Sequence, residues 1–313
     1  MYNPLSRTIE LVFHPIYSQL ILPQKHRFPI EKYQGIRDQL GQLNVPDKTF
    51  SQPQALSSEQ LASIYSPDYV RQLSQGTLSP KAMRRIGFPW SEQLIQRSLT
   101  AVAGTVLTAK LALISGTAIN LTGGYHHAFA NFGSGFCLFN DLYLAALNML
   151  HTPGIDKVLI FDCDVHQGDG TAKLAANNPR VFTVSIHGEK NFPHIKQRSD
   201  MDFALPKGTA DSEYLDTVDS ALHLALNTCV PDAVIYDAGV DIHVDDDLGH
   251  LDISTQGVYQ RDKRVFDVCR AKGLPVAAVI GGGYQRDITA LVNVHMQLFY
   301  AAGVITSTTG TLK

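Results

Sequence analysis

Residues 158–166 read VLIFDCDVH, from Val158 to His166, and this stretch decides the fold. Four apolar residues, Val158–Phe161, run straight into Asp162, Asp164 and His166 at alternating positions. A short run that is apolar on both faces reads as a strand buried on both sides, which means a parallel sheet covered by helices. Five further runs share the pattern: Ile9–Phe13, Ala118–Leu121, Val181–Ile186, Ala233–Tyr236 and Val276–Ile280. The segments Ser91–Ser115, Leu138–Leu150, Ser212–Asn227 and Thr255–Lys272 carry helical period. Asp211-Ser212 with Glu213 and Ser254-Thr255 with Gln256 are helix starts, and Gly273 followed by Pro275 stops a helix before the next strand. Pro23–Gln54 lacks a clean period and reads as helix plus loop. No linker or repeat divides the chain, so residues 1–313 are expected to form one α/β domain.

Composition narrows the function. With 44% hydrophobic and 18% charged residues the chain can bury a large core. A formal charge of −3 and a pI near 6.4 argue against affinity that depends on neutralising phosphates, so no nucleic-acid partner is expected. The cluster Lys81, Arg84 and Arg85 reads as a solvated helix face. Cys137, Cys163, Cys229 and Cys269 stand singly in apolar surroundings, the usage of a reducing compartment. The N-terminus has no signal-peptide pattern and no apolar run reaches bilayer length, so a soluble cytoplasmic protein is expected.

In parallel α/β sheets, ligands bind beyond the carboxyl ends of the strands. Those ends here read Gly123-Gly124-Tyr125-His126-His127, Asp162-Cys163-Asp164-Val165-His166, Ser185-Ile186-His187, Asp237-Ala238-Gly239-Val240-Asp241 and Gly281-Gly282-Gly283-Tyr284. Alternate side chains of an extended segment share a face, so Asp162, Asp164 and His166 can point together. Carboxylate oxygen with imidazole nitrogen suits zinc, iron(II), manganese or cobalt. Asp241 is the natural further ligand, with Asp237 an alternative by spacing, while Asp245-Asp246-Asp247 reads as a solvated acidic loop. Two Asp and one His leave a coordination position open, as a catalytic site requires.

The pair His126-His127 needs a turn to aim both rings at one place. The carboxylates Asp162 and Asp169 can orient them and raise their basicity, giving a general base and a general acid. Gly281-Gly282-Gly283 lacks the spacing and the lysine of a nucleotide loop. Flexible glycines before Tyr284 suit a phenol brought to a reacting carbonyl.

Five segments together resemble the histone deacetylase family, which includes the acetoin-utilisation proteins and acetylpolyamine amidohydrolases. They are GGYHHAFANFGSGFCLFND (Gly123–Asp141), FDCDVHQGDG (Phe161–Gly170), VSIH (Val184–His187), DAGVDIHVDDDLGHL (Asp237–Leu251) and GGGYQRD (Gly281–Asp287), in the family's order. Gln167 stands where most members have a second His, which makes the chain most similar to the class IV branch. The resemblance implies the arginase/deacetylase fold, with an eight-stranded parallel sheet. It implies one zinc per chain (Fe2+ is an alternative in vivo) held by Asp164, His166 and Asp241. It also implies a structural K+ or Na+ at Asp162 and Ser185 with the carbonyls of Asp164, His166 and Ile186, and an acyl channel lined by Phe136, Phe192, Gly135 and Gly282.

The reaction so implied is amide hydrolysis, with His127 backed by Asp169 as base, His126 backed by Asp162, and Tyr284 polarising the carbonyl. Implied substrates are acetyl- or longer acyl-lysine on proteins and peptides, the class IV resemblance tilting toward longer chains, or small acylated amines such as acetylpolyamines. An arginase-like ureohydrolase would need a denser carboxylate run for two metals, and a non-catalytic acyl binder would have lost one of these groups.

Overall fold

A computed structural model describes residues 9–306 apart from position 63. Its strands are β1 (Glu10–Val12), β2 (Phe50–Ser51), β3 (Thr117–Asn120), β4 (Val158–Asp162), β5 (Val181–Gly188), β6 (Met201–Leu205), β7 (Ala233–Asp237) and β8 (Val276–Val279). They form one parallel sheet in the order β2-β1-β3-β8-β7-β4-β5-β6. All six runs read from the sequence are strands. The two unread strands, β2 and β6, are the sheet edges. β2 has only two residues, and β6 alternates exposed and covered positions around Asp202, so neither carries a fully apolar run.

Period-two alternation divides each central strand between two cores. Val158, Ile160, Ala233, Ile235, Ala277 and Val279 pack on one side with Ala109, Leu142 and Met149. Leu159, Phe161, Val234, Tyr236 and Ala278 face the other side with Tyr214, Val218, Val258 and Phe266. Truncating a fully buried ring such as Phe161 to Ala is expected to cost about 3–5 kcal/mol. The helix Glu92–Ser115 packs across β1, β3 and β8, and Asp211–Cys229 covers β4, β5 and β6. By length and composition Glu92–Ser115 is apolar enough to cross a membrane, contrary to the sequence reading, but most of its apolar window is buried in the protein.

Helix ends explain the local boundaries. Ser254 caps Thr255–Ala271 by accepting the Gly257 N–H, as its sequence suggests. Asp211 opens its helix without capping it, and its carboxylate instead takes the Ser254 N–H and hydroxyl. Pro23–Gln54 contains one α-helix, Lys32–Gln42, a short 3-10 turn at Asp47–Thr49 and the edge strand β2. The chain passes from β3 to β4 across the positions later filled by β8 and β7. The carboxyl ends of these four adjacent strands thus surround one crevice, where a parallel sheet binds its ligand.

Candidate active site

Each of those four strands delivers one part of the crevice. Asp164 and His166 follow β4, Asp241 follows β7, Tyr284 follows β8, and His126-His127 follow β3. His166 Nδ1 lies 3.0 Å from both Asp164 Oδ1 and Asp241 Oδ2, and all three side chains are buried. One ligand atom from each of these residues lies within 4.8 Å of the others. Two buried carboxylates this close oppose each other's ionisation, and burial together with Asp164 pushes Asp241 up to about 7. Burial disfavours charge on His166 too, yet its bonds to the two carboxylates raise it to about 10. A buried pair of acids thus holds on to a cation, and two oxygens with one imidazole nitrogen are a donor set that zinc accepts. The residues fit the metal.

Asp237, the alternative ligand by spacing, does not join this trio. It is fully buried beside Asp162 in the β4–β7 register, and neither carboxylate oxygen has a donor among the described residues. His126 Nδ1 lies 3.9 Å from its Oδ2.

The adjacent histidines converge through the turn that Gly123 and Gly124 make, both at positive φ. His126 Nδ1 is 2.8 Å from Asp162 Oδ2, and His127 Nδ1 is 2.7 Å from Asp169 Oδ1. Their Nε2 atoms are 3.1 Å apart. Burial and the charge of His126 hold His127 down to about 4. Burial acts the same way on His126, but Asp162 and Asp164 overcome it and raise the ring well above its usual range. One imidazole is therefore disposed to be charged and the other neutral.

Tyr284 lines the same pocket, its ring 6.3 Å from that of His166 and 5.9 Å from that of Phe136. Phe192 stands 4.8 Å from the His127 ring, so the two phenylalanines flank the histidines and the tyrosine. Gly135 has φ +51°, and a Cβ there would lie 2.6 Å from His127 Cδ2. Gly282 donates its N–H to Asp164 Oδ2 at 2.8 Å. The sheet register sets Ser185 beside Asp162, with Ile186 next along β5. Gln167 clips down the segment that carries Phe192, donating to Gln197 O and Asp202 Oδ1 and accepting the Gln197 N–H.

Several participants escaped the sequence reading. Phe28, Lys32 and Tyr33, from the stretch without clean period, line the pocket. Arg261 is fully buried and donates to the carbonyls of Ala238 and Gly239 behind the Asp241 segment. Asp246 is not a solvated loop residue, since its carboxylate accepts the N–H groups of Tyr284, Leu248 and Gly249. Asp247 pairs with Arg286, and only Asp245 of the three keeps a fully open setting.

The histone deacetylase domain family matches residues 26–298. An uncharacterized protein of Picosynechococcus is 48% identical over 294 residues, covering 93% of this chain and 97% of its own length. Histone deacetylase 2 of Arabidopsis thaliana is 31% identical over 79% of this chain and 66% of its own. The acetoin utilization protein AcuC of Bacillus subtilis is 28% identical, over 88% and 77% respectively. With the paired His–Asp couples and the Asp–His–Asp trio at the carboxyl edge of an eight-stranded parallel sheet, these matches show that the chain belongs to the histone deacetylase family of hydrolases.

Proposed function

We propose that the chain is a zinc-dependent amide hydrolase that removes the acetyl group from lysine side chains. The observation that carries this reading is the meeting of three sets of groups in one buried crevice. These are the trio Asp164, His166 and Asp241, the couples His126–Asp162 and His127–Asp169, and Tyr284. Asp164, His166 and Asp241 would hold the zinc, which would supply a Lewis acid able to polarise a carbonyl and lower the pKa of water to about 7. His127, neutral and oriented by Asp169, takes the proton of the attacking water and hands it to the leaving amine. His126, held charged against Asp162, stabilises the negative charge that develops beside it. Tyr284 donates its O–H to the carbonyl oxygen as that oxygen becomes anionic. Phe136, Phe192, Gly135 and Gly282 line the approach, and a K+ or Na+ at Asp162, Asp164, His166, Ser185 and Ile186 would stiffen the turn after β4 that bears Asp164 and His166.

Pocket size supports the shortest acyl group. The cavity bounded by Phe28, Tyr33, Tyr125, Phe136 and Tyr284 has about 20 Å³ of free volume, enough for about one water. That space is on the scale of an acetyl methyl, which makes acetyl the first acyl group to test. The test is steady-state hydrolysis of an acyl-lysine peptide series, acetyl through myristoyl, by zinc-loaded protein. Chelator-sensitive release that falls steeply beyond acetyl is expected. Faster release of myristoyl than acetyl would overturn the acyl assignment, and turnover of acetylated polyamines alone would overturn the lysine assignment.

A further inference from the structure

The loop that carries Tyr284 is stitched to the segment following β7 at three consecutive residues. The Tyr284 N–H donates to Asp246 Oδ2 at 2.6 Å, Gln285 Nε2 meets His243 Nδ1 at 3.1 Å, and Arg286 pairs with Asp247. The other oxygen of Asp246 takes the N–H groups of Leu248 and Gly249 at 2.9 and 3.0 Å, so the carboxylate cannot turn. From the opposite side the buried Lys32 Nζ donates to Gly281 O at 3.1 Å and Gly283 O at 3.4 Å. Gly281 and Gly283 have φ of +61° and +150°.

Three successive glycines have little conformational preference of their own. The direction in which Tyr284 leaves them must therefore come from outside the loop. Asp246 lies five residues beyond Asp241 on the same segment, so one short piece of chain bears both a proposed metal ligand and the acceptor of the tyrosine N–H.

We propose that Asp246 is a positioning residue, fixing the Tyr284 phenol relative to the Asp164–His166–Asp241 trio. The inference rests on the reading of Tyr284 as the oxyanion donor. Asp246 touches no reacting atom and acts through the tyrosine backbone. Because a displacement of about 1 Å at a reacting group costs about 10²-fold, its loss falls on kcat rather than KM.

The experiment compares wild type, Asp246→Asn, Tyr284→Phe and the double variant, at equal zinc content, on an acetyl-lysine peptide. Asp246→Asn is expected to lower kcat about 10- to 100-fold with KM changed less than about 3-fold. The double variant should be no slower than Tyr284→Phe alone, because the phenol through which Asp246 acts is already gone. A double variant slower by the product of the two single effects would overturn the proposal. Hydrogen exchange gives a readout independent of turnover. In Asp246→Asn the peptide covering Gly281–Arg286 should exchange at least about 10-fold faster, while that covering Asp164–His166 stays protected.

Unchanged protection at Gly281–Arg286 refutes the tether whatever the activity. A wild type inactive on every amide, with exchange still raised in the variant, refutes the hydrolase reading while supporting the tether. Should Asp246→Asn not fold, Asp246→Glu carries the same tests, since it keeps the charge and displaces the acceptor by one methylene.

Discussion

His126 and His127, neighbours in sequence, face each other through Nε2 atoms 3.1 Å apart, while their Nδ1 atoms point to carboxylates on different segments. The two rings share a microenvironment and differ in their hold on a proton, because Asp162, Asp164 and Asp237 all stand close to His126. His127→Ala is expected to lower kcat by about 10²- to 10⁴-fold with zinc content unchanged, the usual contribution of a general base. Asp169→Asn should lower it at least about 10-fold by freeing the tautomer and orientation of His127. Steady-state kinetics beside metal analysis checks both, and a His127→Ala enzyme of wild-type rate would remove this ring from the proton path.

Gly282→Ala tests the trio from the backbone side. The added Cβ would overlap Asp241 Oδ2 and sit 2.5 Å from Asp164 Oδ2, so both proposed ligands would have to shift together. The expected outcome is zinc affinity weakened by about 10-fold or more, beside an overpacking cost of about 1–3 kcal/mol in the metal-free protein. Competition with a zinc chelator measures it. Unaltered affinity would mean that Asp164 and Asp241 do not share an ion at this position.

Strand Val158–Asp162 and the turns after four central strands were legible because each combines a doubly buried run with polar residues that burial makes costly. Position along the chain is enough to read such a signal. Asp246, Lys32 and Arg261 were not legible for the opposite reason. Much of their work is to hold backbone groups 22 residues away or more, as in the bonds Arg261–Gly239, Tyr284–Asp246 and Lys32–Gly281, and no local period marks a residue whose partner lies in another segment. An acidic triplet looks solvated until the fold supplies N–H donors to it. The edge strand Met201–Leu205 escaped for a related reason, since its outer positions face solvent and break the apolar run.

Arg261 should matter to stability more than any surface charge. Its guanidinium is wholly buried, forms an ion pair with Asp262 at 2.8 Å, and donates to the carbonyls of Ala238 and Gly239. Tyr236 O–H also donates to Asp262, at 2.6 Å. Arg261→Met leaves Asp262 charged in the core and three carbonyls, Cys163 included, without their donor. A loss of roughly 3–5 kcal/mol is expected in urea denaturation, with part of it recovered in the double variant Arg261→Met/Asp262→Leu. A loss below about 1 kcal/mol in the single variant would contradict this account.

His295 gives the fold a definite pH dependence. The ring is fully buried on helix Ile288–Ala302, its Nε2 has no partner among the described residues, and burial with the charges of Lys32 and Arg261 holds it well below its ordinary value of 6.5. The unfolded chain takes a proton there near pH 6.5 and the folded chain does not. The unfolded state therefore binds more protons as pH falls. Stability from this group is complete above about pH 6.5 and declines below it, by about 1.4 kcal/mol for each pH unit. His295→Gln removes that one proton from the balance. Urea denaturation between pH 5 and 6 should then show a slope smaller by about that amount than in wild type. Equal slopes would mean that folded His295 takes up the proton after all.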